Sequence, residues 1–350
     1  MKKLVVFFDG TWNTPEDKTN VHALYKLLQT GVSTNQECIY IEGVGTQSGG
    51  LFDSAFNFLG GAFGSGLDDN ILEGYRWLVG NYQENDQIFL FGFSRGAYSA
   101  RSLAGLIRNS GILRREHSSY LDEAYELYRD DLHPDTKQTK EFRQRFSFEC
   151  DIQFIGVWDT VGSLGIPVDG LDLPGFNDYY KFHDTKLSSK VKTAYHALAI
   201  NECRSPYVPT LWTKRGPSET RPPSSPVEQR WFIGAHSNVG GGYPNDMLCN
   251  LSCRWIQKMA QRHGLEFLSD WPVGADDFKA APRDSFTEFM TAHPQLEEIV
   301  TCKARPVGRR STVNETIDPS VVRRFSQDPS FLKKSRGLRK ALQKLPVGED

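Results

Sequence analysis

Residues 87–100 read QIFLFGFSRGAYSA, and this stretch decides the fold. Ile88, Phe89, Leu90 and Phe91 form a short apolar β-type run that enters Gly92-Phe93-Ser94-Arg95-Gly96. The run Ala100–Ile107 that follows reads as a helix. Strand, G-x-S-x-G, helix is the context of a nucleophile elbow. A serine on so sharp a turn projects its hydroxyl above a sheet. Side chains two positions to either side would collide, which accounts for glycine at 92 and 96. The helix N-terminus behind the serine favours negative charge as a tetrahedral intermediate forms. Ser94 is the candidate nucleophile; the plain alternative is a tight turn with an exposed serine.

Strand–helix alternation continues on both sides. Upstream, Lys3–Phe8 reads as a first strand, Asn20–Gln29 as a helix and Cys38–Glu42 as a second strand. Asp68–Tyr82 places Ile71, Tyr75 and Leu78 at helical spacing. Downstream, Ile152–Trp158, Thr193–Ile200 and Gln229–Ala235 read as strands, and Asn250–Arg262 as a helix. Residues 115–150 are polar and helical in pattern, and they interrupt the alternation as a lid or cap would. Pattern is weak beyond Gly264. An α/β chain with a mostly parallel sheet follows, and ligands in such sheets sit outside the carboxyl ends of the strands.

A serine hydroxyl needs a base. Of the eight histidines, only His236 directly follows a late strand and opens a glycine-rich loop, His236-Ser237-Asn238-Val239-Gly240-Gly241-Gly242-Tyr243. His196 lies inside a strand and reads as a satisfied core histidine. The base in turn needs an acid to fix its tautomer. Asp159, at the end of Phe154–Trp158, is the first candidate, and Glu202, beside Asn201 at the next strand end, is the alternative. The chain order Ser94, Asp159, His236 is that of the α/β-hydrolases. Two amides must meet the oxyanion. Arg95 directly after the serine should supply one, and Gly10-Thr11 after the first strand the other.

The 350 residues are 39% hydrophobic and 24% charged, enough for one large core and at most two domains. Met1-Lys2-Lys3 and Leu4–Phe8 resemble a signal start, but the apolar run is short and ends at Asp9. No run approaches membrane-spanning length. A cytoplasmic location is expected, with signal-less export by a secretion machine as the alternative. Six scattered cysteines show no metal spacing and read as buried thiols of a reducing compartment; no metal or cofactor is expected. Residues 301–350 carry 12 Lys/Arg against 5 Asp/Glu, while the rest of the chain is acidic. Within Phe331–Leu345, Leu338, Leu342 and Leu345 share a helical face beside six basic residues. Weak, salt-sensitive contact with an anionic membrane is the expectation for this tail; the plain alternative is a helix packed on the domain. Nucleic acid is not an expected partner.

Five blocks stand together in order. They are Phe8-Asp9-Gly10-Thr11-Trp12-Asn13, Gly43-Val44-Gly45-Thr46, Gly92-Phe93-Ser94-Arg95-Gly96-Ala97-Tyr98, Gly156-Val157-Trp158-Asp159-Thr160-Val161 and the His236–Tyr243 stretch. From about residue 3 to 267 the chain resembles an α/β-hydrolase family once classed as a domain of unknown function, which contains the phospholipase effectors of bacterial type VI secretion. The resemblance implies an α/β-hydrolase fold with a helical cap insertion. It implies a Ser94-Asp159-His236 triad acting on carboxylic esters, lipid or phospholipid, through an acyl-enzyme. One departure is Asn201, where members commonly have aspartate. The organisation expected is a catalytic domain over 1–267, with the cap at 115–150, and an extension over 268–350. Two other readings stay open: an esterase or thioesterase for a soluble metabolite, and a catalytically silent binding module.

Overall fold

The structure is a computed structural model that describes residues 1–29, 35–45, 63–130, 133–162, 186–214, 226–309, 311–332, 342–343 and 345–349. Thr46 and most of the basic tail, residues 333–341, lie outside the described residues.

Seven strands form one sheet: β1 (Lys3–Phe8), β2 (Gln36–Ile41), β3 (Gln87–Phe93), β6 (Ile152–Trp158), β7 (Val191–Ala199), β8 (Val227–Phe232) and β9 (Glu315–Ile317). The short strands β4 (Ile112–Leu113) and β5 (Ser147–Phe148) pair separately. The order is β2-β1-β3-β6-β7-β8-β9, and every neighbouring pair is parallel. This is the α/β architecture expected. Parallel strands need crossovers, so helices cover both faces and the central strands β1, β3 and β6 become largely apolar. Period-two geometry divides each strand between two cores. Leu4, Val6, Phe8, Ile88 and Leu90 face one. Val5, Phe7, Phe89, Phe91 and Phe93 face the other. The first core holds helices α2 (Phe63–Asn81) and α3 (Ser94–Ser110); the second holds α1 (Asn20–Gln29) and α7 (Leu248–Arg262).

The chain steps outward from β1 to β2, then returns past β1 to β3, and later strands build the other way. The strand order therefore reverses between β1 and β3. A crevice at the carboxyl ends of these two strands is where such sheets take ligands. Asp9-Gly10 ends one strand and Ser94 ends the other.

The insertion at 115–150 contains helices α4 (Leu121–Arg129) and α5 (Lys137–Phe146). Three of its polar anchors lie at the C-terminal end of α3, while Tyr128 bonds Ser102 in the middle of that helix and Arg129 pairs with Asp68 of α2 (3.9 Å). Asn109 Nδ2 donates to Leu127 O (2.8 Å), Ser110 Oγ to Ala124 O (2.6 Å) and Arg143 Nη1 to Asn109 O (2.9 Å). At 1.5 Å per residue that end of α3 is about 24 Å from Ser94. The insertion thus packs along α3 and against α2.

The segment after Gly264 is more structured than its pattern suggests. It contributes α8 (Ser285–Ala292), the edge strand β9 and α9 (Pro319–Gln327). From the tail, Leu342 and Leu345 pack against the third apolar cluster around Trp231, Ile317 and Val321. Cysteine usage also departs from the expectation of six thiols. Cys203 and Cys302 form a disulfide with Cα atoms 4.7 Å apart, while Cys38, Cys150, Cys249 and Cys253 are free. The pair is 99 residues apart, so no local spacing announces it. Among the described residues, no helix is long and apolar enough to cross a membrane.

Candidate active site

Ser94 stands where β3 turns into α3, with φ of +57°. That left-handed conformation is costly for a side chain with a Cβ and persists only where the surroundings impose it. The two glycines make the turn sterically feasible. A Cβ on Gly92 would lie 2.4 Å from Gly96 O, and one on Gly96 would lie 2.3 Å from both Phe8 O and Asp9 O. The elbow is therefore wedged against the end of β1.

Three residues from three strand ends meet there. His236 Nε2 lies 2.8 Å from Ser94 Oγ, and His236 Nδ1 lies 2.5 Å from Asp159 Oδ2. An ionised carboxylate only accepts, so the proton sits on Nδ1 and Nε2 accepts from the serine hydroxyl. Exposure is 7% for Ser94, 5% for His236 and 0% for Asp159. The His236 ring lies between Phe93 and Tyr207, with ring centroids 4.6 and 4.8 Å away. Burial pushes the imidazole below its ordinary pKa, outweighing the pull of Asp159. Burial alone would raise Asp159. The Arg305 guanidinium and His236 outweigh it and hold that carboxyl well below the usual range. His236 opens a short helix, α6 (His236–Gly240), rather than the loop expected.

The loop after β1 borders the serine. A Cβ on Gly10 would lie 3.3 Å from Ser94 Cβ. Asp9 shapes this loop: Oδ1 accepts from Gly10 N (2.7 Å), and Oδ2 accepts from Thr19 Oγ1 and Tyr40 Oη, each at 2.6 Å. Burial raises Asp9 to about 6. The Gly10 amide is thereby committed to Asp9, which corrects its assignment as an oxyanion donor. The Thr11 amide has no backbone acceptor among the described residues, and Thr11 Oγ1 is buried without a partner. Arg95 N–H lies in the first turn of α3, where intrahelical acceptors are lacking. Gly43 packs on the same loop, its amide donating to Asn13 O, and Trp12 N donates to Val44 O. The contact joins the first two sequence blocks.

Glu202 does not reach the imidazole. Its carboxylate is held by Arg204 Nε and Nη2 (both 2.9 Å) and by Ser285 Oγ (3.0 Å). It accepts from the backbone N of His236 at 3.1 Å. Asp159 thus orients the ring and Glu202 the backbone. Asn201, the departure from the family pattern, braces the β7 and β8 ends by accepting from Gly234 N (2.8 Å). His196 is a core histidine, as expected. It accepts from Thr160 N at 3.0 Å, and burial lowers it to about 3.

Three residues at the site carried no sequence signal: Arg204, Ser285 and Arg305. Arg305 grips Asp159 with two nitrogens, Nη1 to Oδ1 (2.5 Å) and Nη2 to Oδ2 (2.9 Å).

The family described as "T6SS, Phospholipase effector Tle1-like, catalytic domain" matches residues 2–259. An uncharacterized protein of Saccharomyces cerevisiae is 31% identical over 246 residues, covering 61% of this chain and 34% of that protein. Among solved structures, an uncharacterized protein from Pseudomonas aeruginosa is 16% identical with a TM-score of 0.44, covering 85% of this chain and 51% of that one. The Tle1 effector bound to the VgrG spike of the type 6 secretion system is 21% identical with a TM-score of 0.35, covering 70% and 51%. The chain therefore spans about a third of the yeast relative and about half of each solved structure. Because the family match takes in the sheet from β1 to β8 and all three residues that meet at the elbow, the chain belongs to the Tle1-like phospholipase-effector catalytic-domain family.

Proposed function

We propose that the chain is a serine hydrolase that cleaves carboxylic esters of lipids, phospholipids first among them. Ser94 is the nucleophile, His236 its base and Asp159 the acid that orients His236. The observation that carries this reading is the buried hydrogen-bond chain Ser94 Oγ, His236 Nε2, His236 Nδ1, Asp159 Oδ2 at the switch point of a parallel sheet. Family membership supports the lipid class.

His236 Nε2 takes the serine proton as Oγ attacks the ester carbonyl carbon. The carbonyl oxygen becomes an oxyanion facing the amides of Thr11 and Arg95. On collapse, His236 returns the proton to the leaving alkoxide, and the alcohol departs from an acyl-serine. Water, deprotonated by the same nitrogen, then releases the acid and restores Ser94.

The test is covalent labelling by an alkyl fluorophosphonate, together with fatty-acid release from phosphatidylcholine and phosphatidylglycerol vesicles. The wild-type protein labels and Ser94→Ala does not. Removal of a triad member lowers turnover by roughly 10⁴-fold or more. Labelling of Ser94→Ala at the wild-type level refutes the nucleophile. Labelling with hydrolysis of short soluble esters alone moves the substrate to the soluble class.

A further inference from the structure

Asp159 is fully buried and carries a φ of +40°, so both its position and its charge need support. Its oxygens receive four hydrogen bonds. Oδ2 accepts from His236 Nδ1 and Arg305 Nη2; Oδ1 accepts from Arg305 Nη1 and from Ala199 N at 3.0 Å. Arg305 is itself 7% exposed. Its remaining bonds go to Ala199 O (2.8 Å) and Tyr207 O (2.6 Å), which fixes the plane of the guanidinium. A planar fork that meets both carboxylate oxygens is the geometry that arginine provides and lysine does not.

Arg305 lies outside the residues that match the family, in the extension. A dedicated tether delivers it. The Cys203–Cys302 disulfide joins the segment after β7 to the segment before Arg305. Lys303 N donates to Cys203 O (2.8 Å), Ser205 N to Thr301 O (2.9 Å) and Thr301 N to Ser205 Oγ (3.1 Å). The same stretch carries Tyr207, whose ring packs on His236.

Resting on the hydrolase reading above, we propose that Arg305 is a positioning residue of the Ser94–His236–Asp159 site: its guanidinium locks the carboxylate of Asp159 and offsets its charge. Among the described residues, the charged groups around His236 are Asp159 at the end of β6, Glu202 and Arg204 after β7, and Arg305 from the extension, paired with Asp159. Two are anions and two are cations. Loss of Arg305 leaves the anions in excess, and the imidazole then binds its proton more tightly. The acid limb of the rate profile moves to higher pH, because the base must be neutral to accept the serine proton.

The experiment measures the rate of fluorophosphonate labelling from pH 5 to 9 in the intact chain. Wild type is compared with Arg305→Gln, Arg305→Lys and the double variant Cys203→Ser/Cys302→Ser, with circular dichroism as the check on folding. Arg305→Gln is expected to shift the midpoint upward by about 1 unit or more, the scale of a charge lost within 4–6 Å. Arg305→Lys keeps the charge and the midpoint but labels more slowly. The disulfide-free variant shifts in the same direction as Arg305→Gln, and it decides the question if Arg305→Gln does not fold. A folded Arg305→Gln or disulfide-free variant with the wild-type midpoint overturns the proposal, whether its rate is normal or uniformly reduced. Failure of the wild-type protein to label refutes the hydrolase reading instead.

Discussion

Replacing Asp159 by asparagine should cost both rate and stability, and the two costs should be separable. Both carboxylate oxygens face donors: Ala199 N and Arg305 Nη1 at Oδ1, His236 Nδ1 and Arg305 Nη2 at Oδ2. An amide NH₂ at either position meets two donors, and no flip relieves it. Turned toward His236, it drives the imidazole proton to Nε2, where it blocks acceptance from Ser94. That wrong tautomer is worth roughly 10⁴-fold in rate. The substitution also strands the buried Arg305 charge, at about 3–5 kcal/mol. With an unfolding entropy of about 2.1 cal/mol/K per residue, a 350-residue chain should melt about 4–7 °C lower. The double variant Asp159→Asn/Arg305→Met should recover most of the melting temperature and none of the rate. The assays are p-nitrophenyl ester turnover and thermal unfolding by circular dichroism, with Glu202→Gln as reference. Near-wild-type turnover in Asp159→Asn, or a larger loss in Glu202→Gln, refutes the reasoning and moves the acid to Glu202.

Gly96→Ala places a methyl 2.3 Å from Phe8 O and Asp9 O and should destabilise the fold by about 1–3 kcal/mol or more, read as a lower urea midpoint; an unchanged midpoint contradicts the wedge geometry. Because burial holds His236 below its ordinary value, the acid limb of kcat/KM for the wild-type protein should fall below pH 6.5, and a midpoint above that rules the assignment out. His196 titrates near 3 in the fold, so the unfolded chain binds a proton that the native one refuses, and stability is lost as pH falls below about 6.5. His196→Asn should lose less stability than wild type between pH 7 and 5 in urea titrations. Leu127 is buried and Tyr120 stacks on Phe146 at 4.2 Å, so replacing both with serine should cost about 2–4 kcal/mol while leaving acyl-chain preference intact; a changed preference returns residues 115–150 to the substrate side.

Much of the sheet was legible because its strands are buried on both faces. The runs Lys3–Phe8 and Ile152–Trp158 are uninterrupted by charge after their first residues, and their limits agree with the observed strands. The elbow was legible because its glycines answer a steric demand made within the motif itself. The three-residue strand Glu315–Ile317 was not, since two of its residues are polar and three positions establish no period. Arg305 was invisible for a different reason. Its partner lies 146 residues away, and a guanidinium that will be buried looks, in the sequence, like any of the 41 basic residues. The Cys203–Cys302 pair shares that property. Gly10 shows the reverse error: its closeness to Ser94 was readable, but the capture of its amide by Asp9 was not.

The distance along the chain between Asp159 and Arg305 has a consequence in time. Translation adds about 5–20 residues per second, so His236 precedes Arg305 out of the ribosome by roughly 3–14 s. During that interval the nascent polypeptide carries serine, histidine and aspartate without the cation that balances the last. The second cysteine of the disulfide that holds the cation in place, Cys302, emerges only three residues before it, 99 residues after Cys203. Assembly of the complete Ser94–His236–Asp159–Arg305 cluster thus becomes a late event in biogenesis, arriving after most of the sheet has been made.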